Sequence, residues 1–211
     1  MAEQTGKTKK ETFLVRAQTQ LAEETVMTDI LVRDESEENA EIGAVEIEEG
    51  TFLQCSFLSC RFEKASFIGV TFERCNFSNC NFSDAYFARC TFQGCKFVGA
   101  DLTDAVLKES KIIACNFAFA NFFRARMTRV ACADTDFTEA VFTESRLRHI
   151  EASGCRFVKN SFFRADMAGM DFSACEFAAP TVSSPPTELR GVTVSAMQAA
   201  EIVGLLGVIV R

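Results

Sequence analysis

Ten cysteines and a single histidine are the residues with the most capacity for chemistry in this 211-residue chain. Cys55, Cys75, Cys95, Cys115, Cys155 and Cys175 recur at multiples of 20 residues, and Cys60, Cys80, Cys90 and Cys132 complete the set. Clustered thiols bind zinc, form disulfides or act as nucleophiles, and each use has its own spacing. A structural zinc site wants CxxC pairs or a Cys/His cluster. No CxxC pair exists, and His149 lies apart from the thiols. A disulfide scaffold belongs to short secreted chains, whereas "MAEQTGKTKKETF" has no charged-then-apolar leader and no run of eighteen apolar residues follows. The expectation is a cytoplasmic protein without a membrane span. No Gly-rich phosphate loop or Ser/His/Asp set appears, so neither an enzyme nor a cofactor or metal site is expected. The favoured reading makes the cysteines small buried hydrophobes, and their spacing must come from the element that carries them.

That element repeats every five residues. In "TFERCNFSNCNFSDAYFARC", residues 71 to 90, Phe occupies 72, 77, 82 and 87. Steps of five from Phe52 to Phe177 give 26 positions without an insertion, of which 18 are Phe; the rest are Leu102, Leu107, Ile112, Met127, Cys132, Leu147, Ala152 and Met167. The positions two residues before these are mostly small residues, and nine of the ten cysteines sit there, Cys132 excepted. Helices repeat at 3.6 residues and strands at 2, so neither alone explains a period of five. A unit that turns one large and one small side chain inward and then rounds a corner does, and four corners close a square coil of 20 residues. Columns at that spacing are visible: the cysteine column, then Ala65, Ala85, Ala105 and Ala125, then Val70, Cys90, Ser110, Val130, Ile150 and Met170. Where the last column swells at Val130 and Ile150, the large slot shrinks to Cys132 and Ala152, as a filled core requires.

The units "NFSDA", "DLTDA", "NFFRA" and "DFSAC" resemble the pentapeptide-repeat family over about residues 50 to 179. The resemblance implies an all-β fold, a right-handed quadrilateral parallel β-helix whose coils touch only their neighbours. Units at Ala40 to Ala44 and Val45 to Glu49, through Ile42 and Ile47, extend it to about seven coils, a rod of roughly 34 Å. The expected organisation is an N-terminal extension over 1–40, mobile and then capping, the β-helix over 41–180, and a C-terminal capping and dimerisation segment over 181–211.

The net charge of -7 is uneven. Residues 1 to 50 hold 13 acids and 5 bases, so the remaining 16 acids and 17 bases leave the body near neutral. On the face centred on Phe67, Phe87, Leu107, Met127, Leu147 and Met167, the outward positions carry Arg89, Lys108, Arg126, Arg129, Arg146, Arg148 and His149 against Glu109 and Asp166. The neighbouring face presents Asp84, Asp101, Asp104 and Glu144, with Arg124 and Arg164 interspersed. These charged residues are the candidate partner-binding surface, weighed against an ordinary solvated wall. Phe119, Phe123 and Phe163 fall in outward slots and call for a cover, from the N-terminal segment or a partner.

Both ends need caps, because an open coil exposes apolar core and unpaired strand edge. Leu14, Ala17 and Leu21, then Met27, Ile30 and Leu31, are spaced loosely like an amphipathic helix. At the other end Pro185-Pro186 is expected to stop the regular coil. A capping box of Ser195 and Gln198 opens a helix of about 196 to 206, with Gly207 as its stop and Val208 to Val210 as a strand. Met197, Ala200, Ile202, Val203, Leu205 and Leu206 make this helix apolar on more than one side and are the candidate dimer interface.

The tail "QAAEIVGLLGVIV" is similar to the Qnr and MfpA branch of the family. That resemblance implies a homodimer joined at its C-terminal ends that binds DNA gyrase and topoisomerase IV and shields them from fluoroquinolones, its rod likened to duplex DNA. The unbroken register matches the loopless MfpA-like members. A near-neutral body suits direct docking better than DNA mimicry by overall field. The alternative is a scaffold for another protein. Direct nucleic-acid binding is disfavoured, because the stripe lacks interleaved exposed aromatics and a strongly basic balance.

Overall fold

The computed structural model describes residues 11–205 and 208–209. They form a nearly all-β parallel solenoid of about eight turns, one more than the repeat count suggests. From the first coil to Thr181 each turn lies 20 residues from the next: Met27 pairs with Ile47, Ile47 with Phe67, Phe67 with Phe87 and Phe87 with Leu107. One inward residue per unit stacks on its equivalent in the coil above. Phe72 and Phe92 lie 5.0 Å apart at 4°, and Phe97 and Phe117 lie 4.6 Å apart at 4°.

The four faces differ for a local reason. On two adjacent faces the units are strands. One ladder holds Tyr86–Ala88, Val106–Lys108, Arg126–Thr128 and Arg146–Arg148; the other holds Thr91–Gln93, Lys111–Ile113, Ala131–Ala133 and Glu151–Ser153. Both continue from the strand Ser66–Glu73, which rounds the corner between them. On the other two faces many units open with Asn or Asp. The Oδ1 of Asn76, Asn81, Asp101, Asn116, Asn121, Asp136 and Asp171 accepts the backbone N–H two residues on. Such a side chain imitates a turn and tightens the unit. The fourth residue of most units adopts positive φ, as at Asp84, Arg89, Arg129 and His149, which throws its side chain out from the corner.

The N-terminal end corrects the sequence reading. The helix α1, Phe13–Glu23, is present, but its inward face is Phe13, Ala17 and Gln20, with Leu21 exposed. Met27, Ile30 and Leu31 are not on a helix. They belong to the strand Met27–Arg33, whose β-branched stretch pairs with Glu46–Leu53 and forms the first coil. The five-residue signal is hidden there because Glu35 and Glu37 occupy inward slots. Glu35 accepts the Phe13 N–H at 2.6 Å and faces Arg16 at 3.8 Å, so an acid in a core position caps the helix that covers it. Phe13, fully buried, plugs the open coil edge-on to Phe52 and Phe57 at 5.0 and 5.6 Å.

At the other end the prolines interrupt the coil without ending it. Ser161 pairs with Thr181, an offset of 20, whereas Asp171 pairs with Thr193, an offset of 22. Two extra residues are absorbed, and Leu189, Val192 and Val194 still pack on the core. The Ser195 and Gln198 capping box forms as expected: the Ser195 N–H donates to Gln198 Oε1 at 2.7 Å, and the Gln198 N–H to Ser195 Oγ at 3.3 Å. It opens α2, Ala196–Leu205. Gln198 also donates to the Phe172 and Cys175 carbonyls, which fixes α2 across the last coil. Leu206, Gly207 and Val210, assigned to the helix end and following strand, lie outside the described residues.

Candidate docking surface

The two strand faces meet along one corner, and the first of them, with its turns, carries the outward charges. Arg89, Lys108, Arg126, Arg129, Arg146, Arg148 and His149 are all exposed on the first ladder and its turns. They are not equivalent. Arg129 pairs with Glu109, and Arg148 with Asp166. Arg129 holds the Glu109 carboxyl below its usual range by hydrogen bonding and charge. Among the described residues Arg89, Lys108, Arg126 and Arg146 have no ion-pair partner. Arg126 and Arg146 are moreover direct neighbours across the ladder, about 4.8 Å apart.

The acidic candidates are largely committed within the protein. Asp101 accepts from the Thr103 N–H, the Thr103 hydroxyl and Asn121. Asp104 takes the Arg124 guanidinium, its Nε at 2.9 Å, and that hydrogen bond holds its carboxyl below the ordinary value. Asp84 is exposed without an ion pair among the described residues. Other pairs follow the same one-coil spacing, Glu144 with Arg164 and Arg156 with Glu176. Much of the wall charge is thus neutralised from coil to coil.

The second ladder holds what the sequence reading did not pick out. At Ala131–Ala133 and Glu151–Ser153 the outward side chains shrink to Ala131, Ala133 and Ser153, above the reduced core residues Cys132 and Ala152. The wall is dented there. One hollow of about 420 Å³ is lined by Arg129, Val130, Ala131, His149 and Glu151; a second of about 350 Å³ adjoins it over Ala131, Cys132, Ala133, Ala152 and Ser153. The signal in the sequence was the swelling at Val130 and Ile150, read only as core compensation.

The thiols pack as core residues, nine of them buried and Cys175 half-buried. Cys75, Cys80, Cys90 and Cys95 donate to carbonyls of the preceding coil at 3.0 to 3.4 Å. Burial pushes the Cys90 and Cys132 thiols up to about 12. Among the described residues no group of three or more His, Cys, Asp or Glu is placed to hold a metal, and no helix is long and apolar enough to cross a membrane.

Comparison with known families follows the same repeat. A model described as "Pentapeptide repeat region" matches residues 45–122, and one described as "Pentapeptide repeats (8 copies)" matches 115–151. The chain belongs to the pentapeptide-repeat family. No curated protein sequence gives a match. Among solved structures this pentapeptide-repeat protein is similar to a trypsin-treated form of QnrB1, a plasmid-mediated fluoroquinolone resistance protein. That likeness has a TM-score of 0.50 at 19% identity and covers 87% of this chain and 99% of that one. It is also similar to HetL, a pentapeptide-repeat protein involved in heterocyst differentiation regulation from the cyanobacterium Nostoc sp. strain PCC 7120. Here the TM-score is 0.52 at 14% identity, covering 83% and 92% of the two chains. Identities this low establish the shared fold alone, and the two proteins are named for different processes.

The remaining outward features sit elsewhere on the solenoid. Phe119 is 57% and Phe163 37% exposed, and Phe123 is half-buried. Arg124 lies over the Phe123 ring and Arg164 over Phe163, at 4.7 and 5.0 Å. The described N-terminal segment does not supply their cover, because α1 closes the end near Phe52 and Phe57. On α2, Ile202 packs on the core, Met197, Ala200 and Leu205 are exposed, and Val203 is half-buried.

Proposed function

We propose that this protein is a dimeric docking module for a bacterial type II topoisomerase, DNA gyrase or topoisomerase IV, and that it modulates the enzyme or shields it from fluoroquinolones. The observation that carries the reading is a square solenoid, unbroken in register from Met27 to Thr181 and ending in an apolar helix, which shares its fold with QnrB1 over 99% of that chain. Docking is favoured over mimicry of duplex DNA on the evidence of the charges. Asp101, Asp104, Glu109 and Asp166 are tied to residues of the protein itself, so the wall does not present an open lattice of anions. On the first ladder the charges left without an ion pair among the described residues are cations, Arg89, Lys108, Arg126 and Arg146, and they steer an acidic surface. The similarity to HetL favours a second reading, a scaffold for a different protein partner through the same walls.

Dimerisation is assigned to α2. Met197 is 89% and Leu205 41% exposed on a helix whose other side is fixed to the last coil. Such a side is buried most simply by a twofold copy. The double variant Met197→Glu, Leu205→Glu is expected to elute as a monomer in sizing chromatography, and an unchanged dimer would refute this interface. The functional reading is tested by binding of the full chain to immobilised gyrase holoenzyme. Saturable binding that weakens with salt is expected; the absence of binding at low salt contradicts it.

A further inference from the structure

The dented corner combines two features that arise independently. One is shape. The outward side chains Ala131, Ala133 and Ser153 are the smallest set on their ladder, where neighbouring rungs carry Thr91 and Gln93 or Lys111 and Ile113. The two hollows above them are continuous through Ala131 and Glu151, which line both. Val130, Ala131, Ala133 and Ala152 give them apolar surface between charged rims, and their size suits one or two apolar side chains.

The other feature is charge. Arg126 and Arg146 occupy neighbouring rungs in direct register, where like charges repel. The next residue of their column is Asp166, but its carboxylate is taken by Arg148. Lys108 and Lys111 flank the same corner without an ion pair among the described residues, and His149 rims the first hollow. Glu151 is the single acid between the hollows. The corner is therefore a shallow depression, and the pair of cations that the protein leaves unneutralised stands at the far end of the two strands that lead to it, about 7 Å before Thr128 and Arg148.

We infer that this corner is the docking site for an acidic protein segment, one that sets an aliphatic side chain into the dent and its flanking carboxylates on Arg126 and Arg146. The inference deepens the docking function proposed above by naming the surface and the chemistry of the partner segment. Carboxylates matched to paired guanidinium groups give register and steering, and the aliphatic side chain gives an anchor in the dent. Nucleic acid fits less well. It would use the cations, but neither hollow is lined by a Phe, Tyr or Trp platform for a base.

The test needs no topoisomerase. A short fluorescein-labelled peptide with one leucine centred among glutamates is titrated with the full-length protein and read by anisotropy. Companion peptides replace the leucine with alanine or the glutamates with lysines. The leucine peptide is expected to bind about tenfold or more tightly than the alanine peptide, and the lysine peptide not at all. Ala133→Leu, which fills the dent from an outward strand position, is expected to abolish the leucine preference while leaving thermal unfolding unchanged. Arg126→Glu with Arg146→Glu is expected to weaken both acidic peptides. Equal binding of the leucine and alanine peptides, no effect of Ala133→Leu, or no binding of any acidic peptide would each overturn the inference. Tighter binding of a labelled single-stranded oligonucleotide than of the acidic peptides would also overturn it. Because gyrase is absent, a failure here is distinct from a failure of topoisomerase docking.

Discussion

Replacing Phe13 by alanine should open one end of the solenoid and leave the other intact. The ring is fully buried and meets Phe52 and Phe57 edge-on at 5.0 and 5.6 Å, closing a coil that has no neighbour on its outer side. Deleting a buried Phe ring costs about 3–5 kcal/mol. An 11-residue helix holds little structure by itself, so α1 has no reserve to meet that loss. In a solenoid the loss stays local, because each coil contacts only its neighbours. Taking about 3 kcal/mol, the opening of Met27–Arg33 rises by roughly two orders of magnitude, at about 1.4 kcal/mol per tenfold. Hydrogen exchange read by mass spectrometry measures this by segment. Amides of 27–38 should exchange faster by that factor, while those beyond residue 87 change little. The exposed Phe119→Ala serves as the control and should leave every segment unchanged. Unaltered protection of 27–38 in Phe13→Ala, or an equal loss along the whole rod, would refute the reasoning.

Three further outcomes follow from the same geometry. Asn160 sits fully buried in a small slot where its Nδ2 donates to the Phe137 carbonyl, but its Oδ1 has no partner. Cys80 makes the equivalent bond to Phe57 at 3.0 Å without an orphan oxygen. Asn160→Cys should therefore stabilise the protein by about 1 kcal/mol, and a lower urea midpoint would count against it. Cys175 is the one half-buried thiol among the described residues, and Cys155, hydrogen-bonding to it, lowers it to about 7. Native alkylation should consume one thiol quickly, at Cys175, with a rate rising with pH through about 7; several thiols reacting at one rate would contradict the burial of the columns. For Glu188, burial works against the charge, but hydrogen bonds from Ser183 and from the Arg164 N–H outweigh it and hold the carboxyl below 4.5. A depressed value means the stabilisation is full above that pH and lost as pH falls through the folded value. Glu188→Gln should cost about 1–3 kcal/mol at neutral pH, with the difference shrinking below about pH 4. A constant difference across pH, followed by circular dichroism melts, would rule out the carboxylate as the cause.

The square coil was legible because Phe recurs at five residues and the small slot fills with Cys and Ala, a pattern that only a stacked core imposes on a chain. The columns carried through to the register of every pair from Ile47 to Leu147. The first coil was not legible. Glu35 and Glu37 break its inward pattern, and their presence makes sense only once α1 is seen to lie over that end, with Phe13 donating to Glu35. The excursion at the prolines was read as a terminus for a similar reason, since a two-residue insertion leaves no mark on composition. On the surface, outward positions could be assigned from the repeat, yet their partners could not. Asp101 and Asp104 read as free acids until Thr103, Asn121 and Arg124 were placed beside them. The dent depends on which small residues face out on one ladder, and Ala131, Ala133 and Ser153 carry no chemical signal of their own.

The most direct test of the proposed function is a DNA gyrase supercoiling assay in the presence of ciprofloxacin, titrated with the full-length protein. Recovery of supercoiling as the protein is added, lost when Arg126 and Arg146 are both changed to Glu, is the predicted result. No change in drug sensitivity or in supercoiling at any soluble concentration of a folded, dimeric protein would contradict it.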